Sequence, residues 1–132
     1  MNGKNRFLLD TNIILGFLNG HKMISDFFQK FLTEKELYVS QISRMELLGY
    51  PTITAEEEGC IHHFLSLVKI LPISDSICNQ AIVLRRQTRL KLPDALIAAT
   101  AICFDLKLVT CDTDLLNTHI PDLQNVNPTT IT

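Results

Sequence analysis

The sequence predicts an α/β fold, a three-layer α/β/α sandwich built on a mainly parallel sheet. Three observations lead there. Short apolar runs of β type alternate with longer helical ones, and strands separated by helices pair in parallel because each return crossover needs a helix's length. The 132 residues are 46% hydrophobic and 20% charged, with no acidic or basic block, which suits one compact domain over residues 1–132. One helical segment, Asp94 to about Phe104, is apolar all round in its first turns, which marks a central helix.

The elements follow in order. Arg6 to Leu9 is a short β-type run. Ile13 to Leu18 and then Lys22 to Lys35 read as helix, the second with an apolar stripe of Met23, Phe27, Phe28, Phe31 and Leu32. Leu37 to Ser40 forms a second strand. Ile42 to Leu48 is a short helix stopped by Gly49 and Pro51. Thr54 and Glu57 have the spacing of a capping box and open a helix running to about Val68. Lys69 to Ile73 is a third strand. Ser74 or Asp75 caps the next helix, which reaches roughly Arg89. Pro93 suits the first helical position, since its fixed φ is already helical and its missing N–H has no partner to lose there. Lys107 to Thr110 is a fourth strand, Asp114 to Asn117 a short helix, and Leu123 to Asn127 a fifth strand ending at Pro128.

Several function classes drop out. The longest mainly apolar run, Ala95 to Phe104, is too short to cross a bilayer core of about 30 Å as a helix. The N-terminus, Met1-Asn2-Gly3-Lys4 followed by Phe7-Leu8-Leu9 and then Asp10, is not a signal peptide. A cytoplasmic chain with no membrane partner is expected. The four cysteines, Cys60, Cys78, Cys103 and Cys111, form no CxxC pair, so buried reduced thiols are expected rather than disulfides or a zinc site. Neither GxGxxG nor a phosphate loop is present, which weighs against a dinucleotide-binding enzyme. The net charge of −2 runs against the basic balance of nucleic-acid binders, so such a role needs a bound cation or a local basic patch. Arg85, Arg86, Arg89 and Lys91 offer such a patch, for phosphates or for acidic groups on a protein partner. The alternative is a solvated helix face.

The acids carry the chemistry. Asp10 closes the first strand and Asp112 follows the fourth, and ligands of open parallel sheets bind outside the carboxyl ends of the strands. Each can instead simply cap the helix after it, as can Asp114. Glu46 has no charged neighbour at i±3 or i±4. Its face either looks inward, or it lies at the edge of the stripe and pairs with Arg44 or Lys35. Asp94 occupies the first turn of the apolar helix, whose unpaired N–H groups favour an ionised carboxylate. Four converging carboxylates repel one another and take up protons unless a cation intervenes. A hard divalent cation, Mg²⁺ or Mn²⁺, suits an all-oxygen site and can bridge to a substrate phosphate. His21, His62, His63 and His119 are scattered; His62 and His63 sit inside a helix and are expected at its surface. Zinc is disfavoured.

These residues also fall into a known order. Leu9-Asp10-Thr11-Asn12 resembles the opening of a PIN domain, and Ser43-x-x-Glu46-Leu47 resembles its second motif. Leu92-Pro93-Asp94-Ala95-Leu96-Ile97-Ala98-Ala99-Thr100-Ala101 is similar to the third, and Leu108-Val109-Thr110-x-Asp112 to the fourth. The resemblance covers nearly the whole chain and is closest to VapC-type toxins of toxin–antitoxin pairs. It implies a five-stranded parallel sheet. It also implies an endoribonuclease in which Asp10, Glu46, Asp94 and Asp112 hold one or two Mg²⁺ or Mn²⁺ ions, with Asp114 in reserve for Asp112. RNA cut to leave 5′-phosphate and 3′-hydroxyl ends is the implied substrate. The implied partners are a small VapB-like antitoxin and a second copy of the chain as a homodimer. Asn12 and Thr110 then orient ligands or water, or else serve the helix-entry turn and the strand end. The alternative function is a non-catalytic PIN-like RNA-binding or scaffold module, and the full set of acids weighs against it. A doubly wound phospho-acceptor domain using Asp10 leaves Glu46 and the Asp94 helix unexplained.

Overall fold

The computed structural model describes residues 5–130. Its strands are β1 Arg6–Leu9, β2 Glu36–Ser40, β3 Lys69–Leu71, β4 Lys107–Val109 and β5 Asn125–Val126. Its α-helices are α1 Thr11–Leu18, α2 Lys22–Phe27, α3 Gln41–Leu48, α4 Ala55–Leu65, α5 Asp75–Gln87, α6 Leu92–Phe104 and α7 Thr113–Asn117. All strand pairs are parallel, in the order β3-β2-β1-β4-β5. The expected α/β/α sandwich with a five-stranded parallel sheet is what the chain forms.

Strand alternation builds the layers. Leu8 of β1 and Leu108 of β4 point to one face, where they meet Ile77, Ala81 and Leu84 of α5 and the buried stretch of α6. Phe7, Leu9 and Val109 point to the other face, against Ile13 and Ile14 of α1, Ile24 and Phe27 of α2, and Ile61, Phe64 and Leu65 of α4. With both faces covered, the strands read as near-continuous apolar runs. α6 shows the same logic. Its residues Ala95 to Ala101 are all buried, and the alanines let the helix lie close to the sheet. Among the described residues no helix is long and apolar enough to cross a membrane.

Several boundaries differ from the sequence reading, each for a local reason. The helix expected over Lys22 to Lys35 is α2 followed by a π-helical turn, Phe28–Leu32, and Thr33 is already extended. Ile24 and Phe27 are buried while Met23 and Phe31 are exposed, and across the wider turn the next buried position falls five residues on, at Leu32. α4 stops at Leu65 rather than Val68, where the Ser66 hydroxyl donates to the carbonyl of His63. β3 is shorter than Lys69 to Ile73. α5 ends at Gln87, because the Thr88 hydroxyl donates back to the Leu84 carbonyl and Thr88 itself is extended; Arg89 therefore lies beyond the helix. α6 starts at Leu92, which puts Pro93 second in it. β5 keeps only Asn125–Val126. The cysteines are free, as expected, but not fully buried: Cys60 and Cys103 are exposed and Cys78 and Cys111 half-buried. The capping box is complete, with Thr54 and Glu57 bonded reciprocally, and Ser74 is the cap of α5.

Ala98 is fully buried within α6. Ala98→Leu should overfill the layer between α6 and the sheet and cost roughly 1–3 kcal/mol of unfolding free energy. Urea denaturation checks this, and an unchanged midpoint would show that α6 has slack.

Candidate metal centre

The chain leaves β1 toward β2 and β3, then returns to place β4 on the other side of β1. The sheet order therefore reverses between β1 and β4, and a crevice opens at their C-terminal ends. Asp10 stands there. It is the N-cap of α1, and one carboxylate oxygen accepts from the Thr11 backbone N–H at 2.8 Å. The other accepts from the Thr110 hydroxyl at 2.7 Å. Its own N–H donates to the Val109 carbonyl, which ties the two strand ends together. Asp10 is only 6% exposed. Burial pushes its carboxyl up, against the lowering effect of the bonds from Thr110 and Thr11, and the charges of Asp112 and Glu46 add to the rise.

Asp94 comes from the first turn of α6. Burial is the largest influence on it, followed by the charges of Asp112, Asp10, Asp114 and Glu46, and together these push its carboxyl up to about 6. Asp10, Glu46, Asp112 and Asp114 are thus near enough for their charges to act on Asp94, while the tight cluster of carboxylate oxygens holds Asp94, Asp112 and Asp114 and includes neither Asp10 nor Glu46. Asp112 follows β4 and caps α7, its Oδ1 accepting from the backbone N–H groups of Asp114 at 2.8 Å and Leu115 at 3.2 Å. Asp94, Asp112 and Asp114 each offer a carboxylate oxygen, and these atoms lie within 4.8 Å of one another. Asp112 and Asp114 thus stand together in the cluster, although the sequence reading treats Asp114 as a substitute.

Glu46 is placed differently from the inward-facing reading. It is exposed on α3, and its Oε1 lies 2.7 Å from the Thr11 hydroxyl. It pairs with neither Arg44 nor Lys35. The reason is geometric: Ser43 and Leu47 take the buried positions of α3, leaving Glu46 at the rim beside Asp10. Thr11 and Ser43 belong to the motifs quoted above, but the sequence assigns them no role. The signal was the i, i+3 spacing of Ser43 and Glu46, which puts them on one helix face. Thr110 is fully buried and bonded to Asp10, whereas Asn12 accepts from the Cys111 backbone N–H at 3.5 Å and so secures the loop after β4. Arg85, Arg86 and Arg89 are exposed. The first two line an apolar groove with Ile82 and Leu92.

The donor set fits a hard divalent cation. The cluster offers carboxylate oxygens alone, and among the described residues no Lys or Arg makes an ion pair with any of these acids. His62 and His63 are exposed on α4, as expected, and take no part. Burial, then the charges of Asp10 and Asp112, push the Cys111 thiol up, so it offers no thiolate at neutral pH.

A PIN domain family model matches residues 7–120. A chain from a toxin–antitoxin complex of Klebsiella pneumoniae is 31% identical, with a TM-score of 0.76 over 92% of this chain and 96% of that one. The FitAcB structure from Neisseria gonorrhoeae is 25% identical, with a TM-score of 0.77 over 95% and 99%. VapBC2 of Rickettsia felis, bound to a DNA fragment from its promoter, shares the fold at 23% identity, with a TM-score of 0.78 over 92% and 97%. No curated protein matches the sequence.

The raised carboxyl of Asp94 makes the metal-free protein sensitive to pH. The native state holds this proton more tightly than the unfolded chain, so its contribution is present below pH 3.8 and is lost as pH rises to about 6 and beyond. A shift from 3.8 to about 6 corresponds to about 3 kcal/mol, which solvent screening of this half-exposed group reduces to about 1 kcal/mol. In chelator, Asp94→Asn should therefore melt higher than wild type at pH 8, and the gap should close toward pH 4. Thermal melts across that range check it; a gap independent of pH contradicts it.

Proposed function

The chain belongs to the PIN domain family, and on that premise we propose that it is a metal-dependent endoribonuclease acting as the toxin of a toxin–antitoxin pair. The observation that carries the reading is the convergence of Asp94, Asp112 and Asp114 beside Asp10 at the sheet's reversal point. Acids gathered at this density without a basic partner are best explained as cation ligands. Glu46 closes the rim from α3.

When bound, Mg²⁺ or Mn²⁺ supplies positive charge to a phosphodiester and to the water that attacks it in line. The protein's own part is placement. Asp10 is fixed by two donors and cannot turn away. Asp112 spends one oxygen on capping α7 and leaves the other for the site. Asp94 brings its carboxylate from the first turn of α6 to within 4.8 Å of those of Asp112 and Asp114. Arg85, Arg86 and Arg89 offer contacts for RNA phosphates or for acidic groups of an antitoxin. RNA hydrolysis, a small VapB-like antitoxin, a homodimer and a cytoplasmic place belong to the same proposal. The antitoxin part is supported by the toxin–antitoxin complex from which the 31% identical relative comes. Residues 1–132 act as one PIN domain on this reading.

Asp10→Asn and Asp94→Asn should each lower Mn²⁺-dependent cleavage of single-stranded RNA at least about a hundredfold. Removing partners that merely support metal ligands already costs up to about that much. Cleavage of a defined RNA panel with Mg²⁺, Mn²⁺ and chelator checks this, and an Asp94→Asn protein with full metal-dependent activity sinks the assignment. If the arginines contact RNA, Arg85→Ala or Arg89→Ala should flatten the log–log salt dependence of binding by about 0.7 per lost phosphate contact. An unchanged slope assigns these cations elsewhere.

A further inference from the structure

Each site threonine has one hydroxyl proton, and its neighbours decide where that proton goes. Thr110 Oγ lies 3.0 Å from the Asp112 backbone nitrogen, which can only donate, and 2.7 Å from Asp10 Oδ2, which accepts. The Thr110 proton therefore belongs to Asp10. Thr11 Oγ lies 2.7 Å from Glu46 Oε1 and 2.8 Å from Ser43 Oγ. An ionised carboxylate only accepts, so Thr11 donates to Glu46 and Ser43 in turn donates to Thr11. The two chains have the same polarity: a donor, a threonine hydroxyl, then an acid. Ser43 and Thr110 are both fully buried, out of reach of competing water.

We propose that Thr11 is a positioning residue that aims Glu46 at the divalent cation, as the resemblance already implies for Thr110 beside Asp10, a role that rests on the metal-site reading above. Neutral hydroxyls suit this task in a way that Lys or Arg does not. A guanidinium or ammonium also orients a carboxylate, but it cancels the charge that attracts the metal and competes for the same oxygens. Thr11 matters most for Glu46. This side chain is exposed, and a free glutamate there samples rotamers pointing away from the crevice. Thr11 is the one partner that its carboxylate has among the described residues. Ser43 then sets the direction of the Thr11 hydroxyl.

The test measures Mn²⁺ binding by calorimetry, without RNA, on wild type, Thr11→Val, Thr11→Ser, Ser43→Ala, Thr110→Val and Thr110→Ser, with a thermal melt of each metal-free protein. Thr11→Val should weaken Mn²⁺ binding about tenfold to a hundredfold, with a lower melting temperature because it leaves the buried Ser43 hydroxyl unpaired. Thr11→Ser, which keeps the hydroxyl, should restore most of the loss. Ser43→Ala should show a smaller loss in the same direction. The Thr110 pair should behave like the Thr11 pair. If Thr110→Val fails to fold, Thr11 and Thr110→Ser still decide. Thr11→Val binding Mn²⁺ as tightly as wild type overturns the proposal, as does a loss that serine does not repair. Wild-type cleavage of RNA is scored separately. Intact Mn²⁺ binding without cleavage sinks the ribonuclease reading alone, and cleavage with an indifferent Thr11→Val sinks the positioning role alone.

Discussion

Like charges crowded at one end of a sheet are the constraint that the rest of this structure answers. Asp94 feels the charges of Asp10, Glu46, Asp112 and Asp114 at once. Held together in the absence of a cation, they raise the proton affinity of Asp94 and Asp10 and tend to spread apart. The fold resists by anchoring each acid to something it cannot leave. Asp10 is pinned where two strands meet. Asp112 is committed to the cap of α7. Asp94 is carried on a helix whose next seven residues are buried. Glu46 and Asp114 stand at exposed helix positions, and Glu46 is held by a hydroxyl from a different element.

The anchoring also explains which sequence signals were readable. The sheet and its flanking helices follow from long-range regularities, strand alternation and helical periodicity, that single residues do not upset. Asp10, Asp94 and Asp112 are legible because each sits at a junction that topology sends to the same edge. Glu46 is harder. Its uncharged neighbours are compatible with an inward face, yet Ser43 and Leu47 take the buried positions of that helix. The π-helical turn after α2 left no trace in the sequence; its first residue, Phe28, stacks on Phe17 of α1 at 4.3 Å, a contact between elements that helical periodicity does not encode. The Thr88 stop is a similar case, set by one hydroxyl bonding back to the preceding turn. The role of Thr11 is invisible without knowing that α1 and α3 lie side by side.

The acidic balance takes on a different meaning in this light. A net charge of −2 disfavours a nucleic-acid partner if every carboxylate is counted as surface. Here several of the acids are concentrated in one crevice, while Arg85, Arg86 and Arg89 stand exposed near the start of α6. Charge is segregated rather than merely summed, and the local field near the site is what an approaching ligand meets.

The unbroken burial of α6 has a mechanical side. A close-packed interior has little compressibility and transmits strain. With every side of the helix in contact from Ala95 to Ala101, it has no free flank along which to bend. It shifts as a rod, carrying Asp94 at its tip. An added methyl group at Ala101, about 10 Å along the axis from Asp94, is then felt as a change in the spacing between carboxylates, although nothing at that position touches the crevice. Remote hydrophobic positions on this helix thereby act as adjusting screws for the site, and selection can retune its grip on a cation without altering a single acid.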